Sequence, residues 1–262
     1  MLINRIIKPD SNLYRDLSNK SNQFDYFMNW DPLRWFGMWC MALSGFNIVK
    51  GSENRYIYWD WSSGTIFFYL VLIIVTIWTV MSSNNTNIPK KINGPKSVLY
   101  FFVLGLSCLI LGSLSQSVHI YVFNYVPYIL YYFGVLFVFS IHMKSNYDNS
   151  SSIANGNNRL LNLFFASILT LISSLLGYQL DDPIISTIST VYMPFLIVSI
   201  IMPIHVRHLQ RARMYGLFIP AVFLSIRYPW FLIPLCSLFF ILRIYHYFRF
   251  NIVFPTFAVD ID

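Results

Sequence analysis

Runs of about 20 apolar residues alternate with short polar segments along this chain, a rhythm that predicts membrane-spanning helices. Thr65 to Ser82, Ser97 to Ser117, Leu160 to Leu180 and Ile184 to Ile204 are four such runs, and Pro127 opens another that ends near Met143. Asp31-Pro32 is a helix start: the carboxylate serves as N-cap, and proline takes the first helical position, where its missing N–H costs nothing. The helix it begins, Pro32 to about Val49, is interrupted by Arg34, Gly37, Ser44, Gly45 and Asn47 and fits either a span or an interfacial helix. Asp182-Pro183 repeats the same start signal ahead of the run from Ile184, in which Pro194 predicts a bend. Lys144 to Arg159, rich in Asn and Ser, reads as a flexible linker.

The C-terminal part follows a different pattern. A basic stretch, His205 to Arg213, precedes an apolar segment, Met214 to Tyr247, broken at Arg227-Tyr228-Pro229. As one tilted helix this segment would hold Arg227 near mid-membrane, at a cost of roughly 2.5 to 3.5 kcal/mol. A hairpin with its tip at Tyr228-Pro229 carries Arg227 to water instead, and the proline disfavours helix at Tyr228. The first arm, Met214 to Ile226, then covers only about 20 Å, a short re-entrant helix.

Composition sharpens the picture: 56% of residues are hydrophobic and 11% charged, against roughly 25% charged in soluble domains. The formal net charge of +7 sits between the apolar runs, where membrane orientation accounts for it, so no nucleic-acid partner is expected. Cys40, Cys108 and Cys236 are isolated and signal neither a zinc site nor a disulfide framework. Residues 1–31 lack the apolar core of a signal peptide and read as a cytoplasmic or interfacial arm. With that arm inside, eight helices leave only Lys50, Arg55 and Arg227 of the 18 Lys and Arg outside, which satisfies the positive-inside rule. The expectation is an all-α, polytopic helical membrane bundle of about eight helices, six to seven full spans plus a short C-terminal hairpin arm. Both termini are cytoplasmic. Residues 32–248 form one transmembrane domain and 249–262 a short tail.

Three groups of side chains are candidates for chemistry. His142, His205, His208 and His246 fall at the inner ends of helices, where imidazoles converging on one centre would bind a metal. No other cofactor is expected, and an ordinary boundary role competes with the metal. On the outer side, Tyr56 and Trp59 with Asp60, Tyr121, Tyr125, Tyr128 and Asp182 form an aromatic and acidic set suited to an organic cation; an interfacial aromatic belt is the plainer reading. Arg207, Arg211 and Arg213 can grip lipid phosphates, with anionic head groups of the inner leaflet as partners, although such a run is first an orientation signal.

No Asp, Glu or Lys lies deep in any predicted helix, where ion-coupled transporters and proton pumps keep them. No phosphate loop or nucleophile elbow is present. The expected function is therefore that of a non-enzymatic subunit or scaffold of a membrane assembly, with membrane proteins and lipids as partners. An enzyme acting on a lipid or prenyl substrate at the inner face, or a facilitator for an uncharged or cationic solute, are the alternatives.

Overall fold

The structure is a computed structural model that describes residues 2–25, 33–53, 58–61, 69–77, 89, 92, 94–114, 122–141, 143–144, 152–153, 158–202 and 205–253. The chain folds as an all-helical, multi-pass membrane bundle. Among the described residues five helical segments are long and apolar enough to cross a membrane: 95–113, 122–139, 158–179, 183–201 and 229–250. In chain order the helices are α1 (Leu2–Ile6), α2 (Asn12–Ser21), α3 (Met38–Glu53, entered through a π-helical turn at Leu33–Gly37), α4 (residues 69–77), α5 (Pro95–Ser113), α6 (Val126–Phe139), α7 (Asn158–Gln179), α8 (Pro183–Ile201), α9 (Val206–Arg227) and α10 (Leu232–Phe250). Met143–Lys144 and Ser152–Ile153 pair as two-residue antiparallel strands, β1 and β2.

Helix α3, ambiguous from its sequence, is the centre of the bundle and does not lie in an interface. Leu33, Met38, Ala42, Leu43, Phe46 and Asn47 are all buried, as are their neighbours from Phe36 to Val49. The residues that interrupt its apolar run are the ones that seat it. A Cβ added to Gly45 would overlap the Leu109 carbonyl of α5, and one added to Gly112 would overlap the Ala42 carbonyl of α3. The two backbones therefore touch at a crossing that only glycine permits. This is how membrane helices gain packing when lipid offers no hydrophobic drive to associate.

Around that pair, α5, α6, α7, α8 and α9 pack in sequence, and α9 returns to α3. Hydroxyl groups tie the helices together. Pro220 lacks the N–H that would bond the Gly216 carbonyl four residues earlier, and the Tyr131 hydroxyl of α6 donates to that carbonyl at 2.9 Å. The Trp230 carbonyl, four residues before Pro234, accepts from the Tyr69 hydroxyl at 3.3 Å. Tyr192 donates to the Ala212 carbonyl at 3.0 Å, Tyr132 to that of Phe101 at 2.9 Å and Ser173 to that of Pro127 at 2.7 Å. Each such bond in a membrane bundle contributes about 0.6 kcal/mol on average.

The structure differs from the sequence reading in the C-terminal hairpin. The first arm of the C-terminal hairpin is not short: α9 begins at Val206 and absorbs the basic run, giving 22 helical residues and about 33 Å of length. Its apolar stripe, Val206, Leu209, Ala212 and Gly216, faces inward while Arg207 and Arg211 point out. The break itself is where expected, with α9 ending at Arg227 and a 3-10 turn at Pro229–Phe231 leading into α10. The N-terminal arm is also structured. The Asp25 carboxylate accepts bonds from Arg249 Nε at 2.9 Å and the Tyr245 hydroxyl at 2.7 Å; Tyr14 donates to the Tyr247 carbonyl at 3.1 Å, and Tyr247 donates in turn to the Ile7 carbonyl. These bonds strap the arm to the end of α10.

The strap should respond to acid. The Arg249 bond, with help from Tyr245, holds the Asp25 carboxyl below its ordinary value of 3.8, so its stabilisation is complete above that value and is lost as pH falls through the lower folded value. Hydrogen exchange of residues 2–25, taken relative to the intrinsic rate at each pH, is expected to be slow at pH 6 and to become fast selectively below about pH 3.8. Asp25→Asn should reproduce the fast exchange at neutral pH, and equal protection of the arm in both proteins would show that the ion pair does not hold it.

Candidate functional site

The charged and polar side chains that α3, α6, α8 and α9 bring together meet at one end of the bundle. Asp182 caps α8 as its sequence signals: Oδ1 accepts from the backbone N–H groups of Ile184 at 3.0 Å and Ile185 at 3.3 Å. Its Oδ2 accepts from the Tyr128 hydroxyl at 2.7 Å. That hydroxyl accepts from Asn47 Nδ2 at 2.8 Å, and Asn47 Oδ1 lies 3.4 Å from the Tyr228 hydroxyl. A buried polar chain thus runs from Tyr228 through Asn47 and Tyr128 to Asp182, joining α3 to the ends of α6, α8 and α9.

Arg227 completes the cluster. It does not reach water as the hairpin reading had it; it is 2% exposed and sits inside the protein at the end of α9. Its positive charge acts on Asp182, where burial pushes the carboxyl pKa up while the Tyr128 bond, the capped N–H groups and Arg227 oppose that rise. The Trp59 and Asp60 backbone N–H groups donate to the Ile226 and Arg227 carbonyls at 3.1 and 2.9 Å, so these two residues are fastened to the same end. A compensated guanidinium needs no solvent, which is the physical reason the sequence expectation fails here.

Beside these groups lies a cavity of about 80 Å³ lined by Gly51, Asn124, Asp181, Asp182 and Arg227, among others. Deeper in the bundle a second cavity of about 20 Å³ is bounded by Ser44, Tyr128, Tyr131 and Tyr132, room for about one water molecule. Of the expected outer set, Tyr128 and Asp182 are in direct contact and Asp60 is fastened to Arg227. Tyr125 is half-buried, while Trp59 is 59% exposed and packs edge-on against Trp61, away from the cavity. Tyr56 and Tyr121 lie outside the described residues. Asn47, Asn124, Arg227 and Tyr228 were not in that set. Asparagine inside an apolar run was the available signal, since a buried amide must find partners.

At the opposite end of α9 the three arginines part company. Arg207 and Arg211 are exposed. Arg213 is buried at 4% exposure and donates to the Phe139 and Ile141 carbonyls, with its guanidinium 5.6 Å from the Phe139 ring. It therefore caps the C-terminal end of α6, whose last carbonyls have no helical donors, and is removed from any lipid phosphate. His205 and His208 face each other with ring centroids 5.8 Å apart, His246 is buried on α10, and His142 lies outside the described residues. Among the described residues no three His, Cys, Asp or Glu side chains converge as a metal requires.

No family model matches the chain, and no curated protein or solved structure matches it either.

Proposed function

We propose that this chain is a non-enzymatic multi-pass membrane protein that serves as a subunit of a membrane assembly, with α10 as the helix on which a partner packs. The observation that carries this reading is Arg243. It lies in the last apolar span, its Nε is buried without a hydrogen-bond partner, and its guanidinium rests 5.8 Å from the Phe239 ring of its own helix. A guanidinium N–H left so within a span is costly and is satisfied by a carboxylate or phosphate brought alongside. The first three turns of α10 touch the bundle sparingly: Leu235 and Leu242 are buried, while Ile233, Cys236, Ser237, Phe240 and Ile241 are open. A second membrane helix bearing an acidic residue fits that face and satisfies Arg243.

Purification in mild detergent from native membranes tests this. The chain is expected to travel in a stoichiometric complex that Arg243→Leu dissociates without lowering the melting temperature of the isolated chain. A homogeneous monomer from native membranes overturns the reading.

The topology proposed with it has eight crossings and both ends cytoplasmic. The arm and the end of α10 are bonded and so share one side, which requires an even number of crossings between them; α3 to α10 supply eight helical segments. Arg207 and Arg211 then lie inside, about 25 to 30 Å along α9 from Arg227, as the positive-inside rule asks. Cysteine placed at Asp181 is expected to react with an impermeant maleimide in intact cells, and cysteine at Arg211 only after permeabilisation. The reverse pattern would invert the protein.

A further inference from the structure

We infer that the N-terminal arm, residues 2–25, lies flat on the membrane at the end of α10 and docks on anionic phospholipids of that leaflet, with its cations on their phosphates and an apolar stripe against their acyl chains. The inference stands apart from the assembly reading, since it uses α10 only at its last turn, from Tyr245 to Arg249.

Three observations carry it. The first is orientation. The chain is helical without a break from Asn12 to Asp25, so Tyr14 and Asp25 stand about 16 Å apart along the arm. Both nonetheless meet α10 within one turn. The Tyr14 ring lies 5.4 Å from that of Tyr247 and 5.6 Å from that of Phe248, and the Asp25 carboxylate accepts from Tyr245 and Arg249. Those four positions span only about 6 Å of α10. An arm running alongside α10 would spread its contacts over about three turns; this one crosses it. Because α10 belongs to a segment of membrane-spanning length, 229–250, a helix crossing its end lies in the plane of the bilayer surface.

The second is an apolar stripe. Leu13, Leu17, Lys20 and Phe24 follow a 4-3-4 spacing, which sets them on one line of a helix. Leu17 is half-buried, while Leu13 and Phe24 are 56% and 52% exposed, and Ile6 of α1 is 70% exposed. Single apolar side chains at a surface need no explanation. A line of them on a helix that lies at the bilayer surface has an apolar phase within reach, the arrangement by which interfacial helices bind membranes.

The third is charge that nothing in the protein uses. Arg5, Lys8, Arg15 and Lys20 are exposed, and among the described residues no hydrogen bond or ion pair engages their side chains. Of the arm's carboxylates, Asp25 is already bonded to Arg249, and only Asp10 and Asp16 are left exposed. The balance is positive, and Lys and Arg at this level can lay their stems on apolar surface while the charge reaches a phosphate. An acidic protein would suit the same charge, but the bilayer beneath a crosswise arm presents its phosphates at high local concentration.

The test follows hydrogen exchange of residues 2–25 at pH 7, where the Asp25 bond is complete, in the full chain. It is carried in nanodiscs of phosphatidylcholine alone or with about one-third phosphatidylserine, a strongly anionic surface. Exchange is expected to be about tenfold slower in the anionic discs, the effect of a few cations near such a surface, and the difference should shrink at about 1 M salt. An anionic surface also lowers the local pH, which slows every nearby amide. The variant carrying Arg5→Gln, Lys8→Gln, Arg15→Gln and Lys20→Gln keeps the strap and the stripe and reports that background alone, so its ratio between the two discs should be much smaller than the parent's. Leu13→Asn with Phe24→Asn should speed exchange in both discs. Equal exchange in the two discs, or an equal ratio in the parent and the four-site variant, overturns the inference. Unchanged protection in Leu13→Asn with Phe24→Asn turns the stripe away from lipid and overturns it as well.

Discussion

Gly112→Leu is expected to leave little folded protein. At the crossing of α3 and α5, the Cβ of any residue at position 112 overlaps the Ala42 carbonyl, and the reciprocal overlap occurs between position 45 and the Leu109 carbonyl. These obstacles are backbone atoms, so no rotamer change relieves them. The helix axes must separate, and Ala42, Leu43, Phe46, Cys108 and Leu109, all buried there, lose close contact together. Overpacking costs about 1 to 3 kcal/mol even where side chains yield, and a displaced helix pair at the bundle centre should exceed that range. Thermal unfolding and size-exclusion profiles in detergent measure it, with Gly51→Ala as the control, since that methyl meets only an ordinary contact. A Gly112→Leu protein that elutes and melts like the parent would show that the two helices do not cross there.

The parts of this fold that were legible are those whose cause is local. An apolar run of span length predicts its own helix, and Asp182-Pro183 predicts its own cap, which the structure shows bonded to Ile184 and Ile185. Where the cause was distant, the reading failed or stayed open. Gly45 and Asn47 read as faults in an apolar helix because their partners, the Leu109 carbonyl and the Tyr128 hydroxyl, belong to other helices. Arg227 was sent to water because nothing near it in sequence compensates its charge, whereas Asp182 does so from the turn before α8. The start of α9 was missed because Arg207, Arg211 and Arg213 mask a stripe of Val206, Leu209, Ala212 and Gly216 that has helical spacing. The arm strap joins positions 224 residues apart, a pairing no local pattern reports. Within the outer cluster, residue types were readable and convergence was not: two of the expected aromatic and acidic residues touch, and Arg227, expected in water, is buried beside them.

The polar chain through Asn47 yields the second large effect. Asn47 is fully buried, and its amide links Tyr128 on α6 to Tyr228 at the end of α9. Asn47→Leu keeps the volume of the side chain and removes both functions of the amide. Tyr128 loses its donor but keeps Asp182 as acceptor, while Tyr228 loses the acceptor for its hydroxyl. A buried polar group left unsatisfied costs about 1 to 3 kcal/mol, so a destabilisation of roughly 2 to 3 kcal/mol is expected, visible as a lower melting temperature. The two links should not weigh equally. At 2.8 Å the Asn47–Tyr128 bond has full strength, whereas 3.4 Å to Tyr228 is at the weak end of the hydrogen-bond range. Double-mutant cycles separate them: coupling between Asn47→Leu and Tyr128→Phe should be clearly larger than coupling between Asn47→Leu and Tyr228→Phe. If the order were reversed, Asn47 would act chiefly to hold the turn after α9, and the path from α3 through Tyr128 to the Asp182 cap would not be what fixes this end of the bundle.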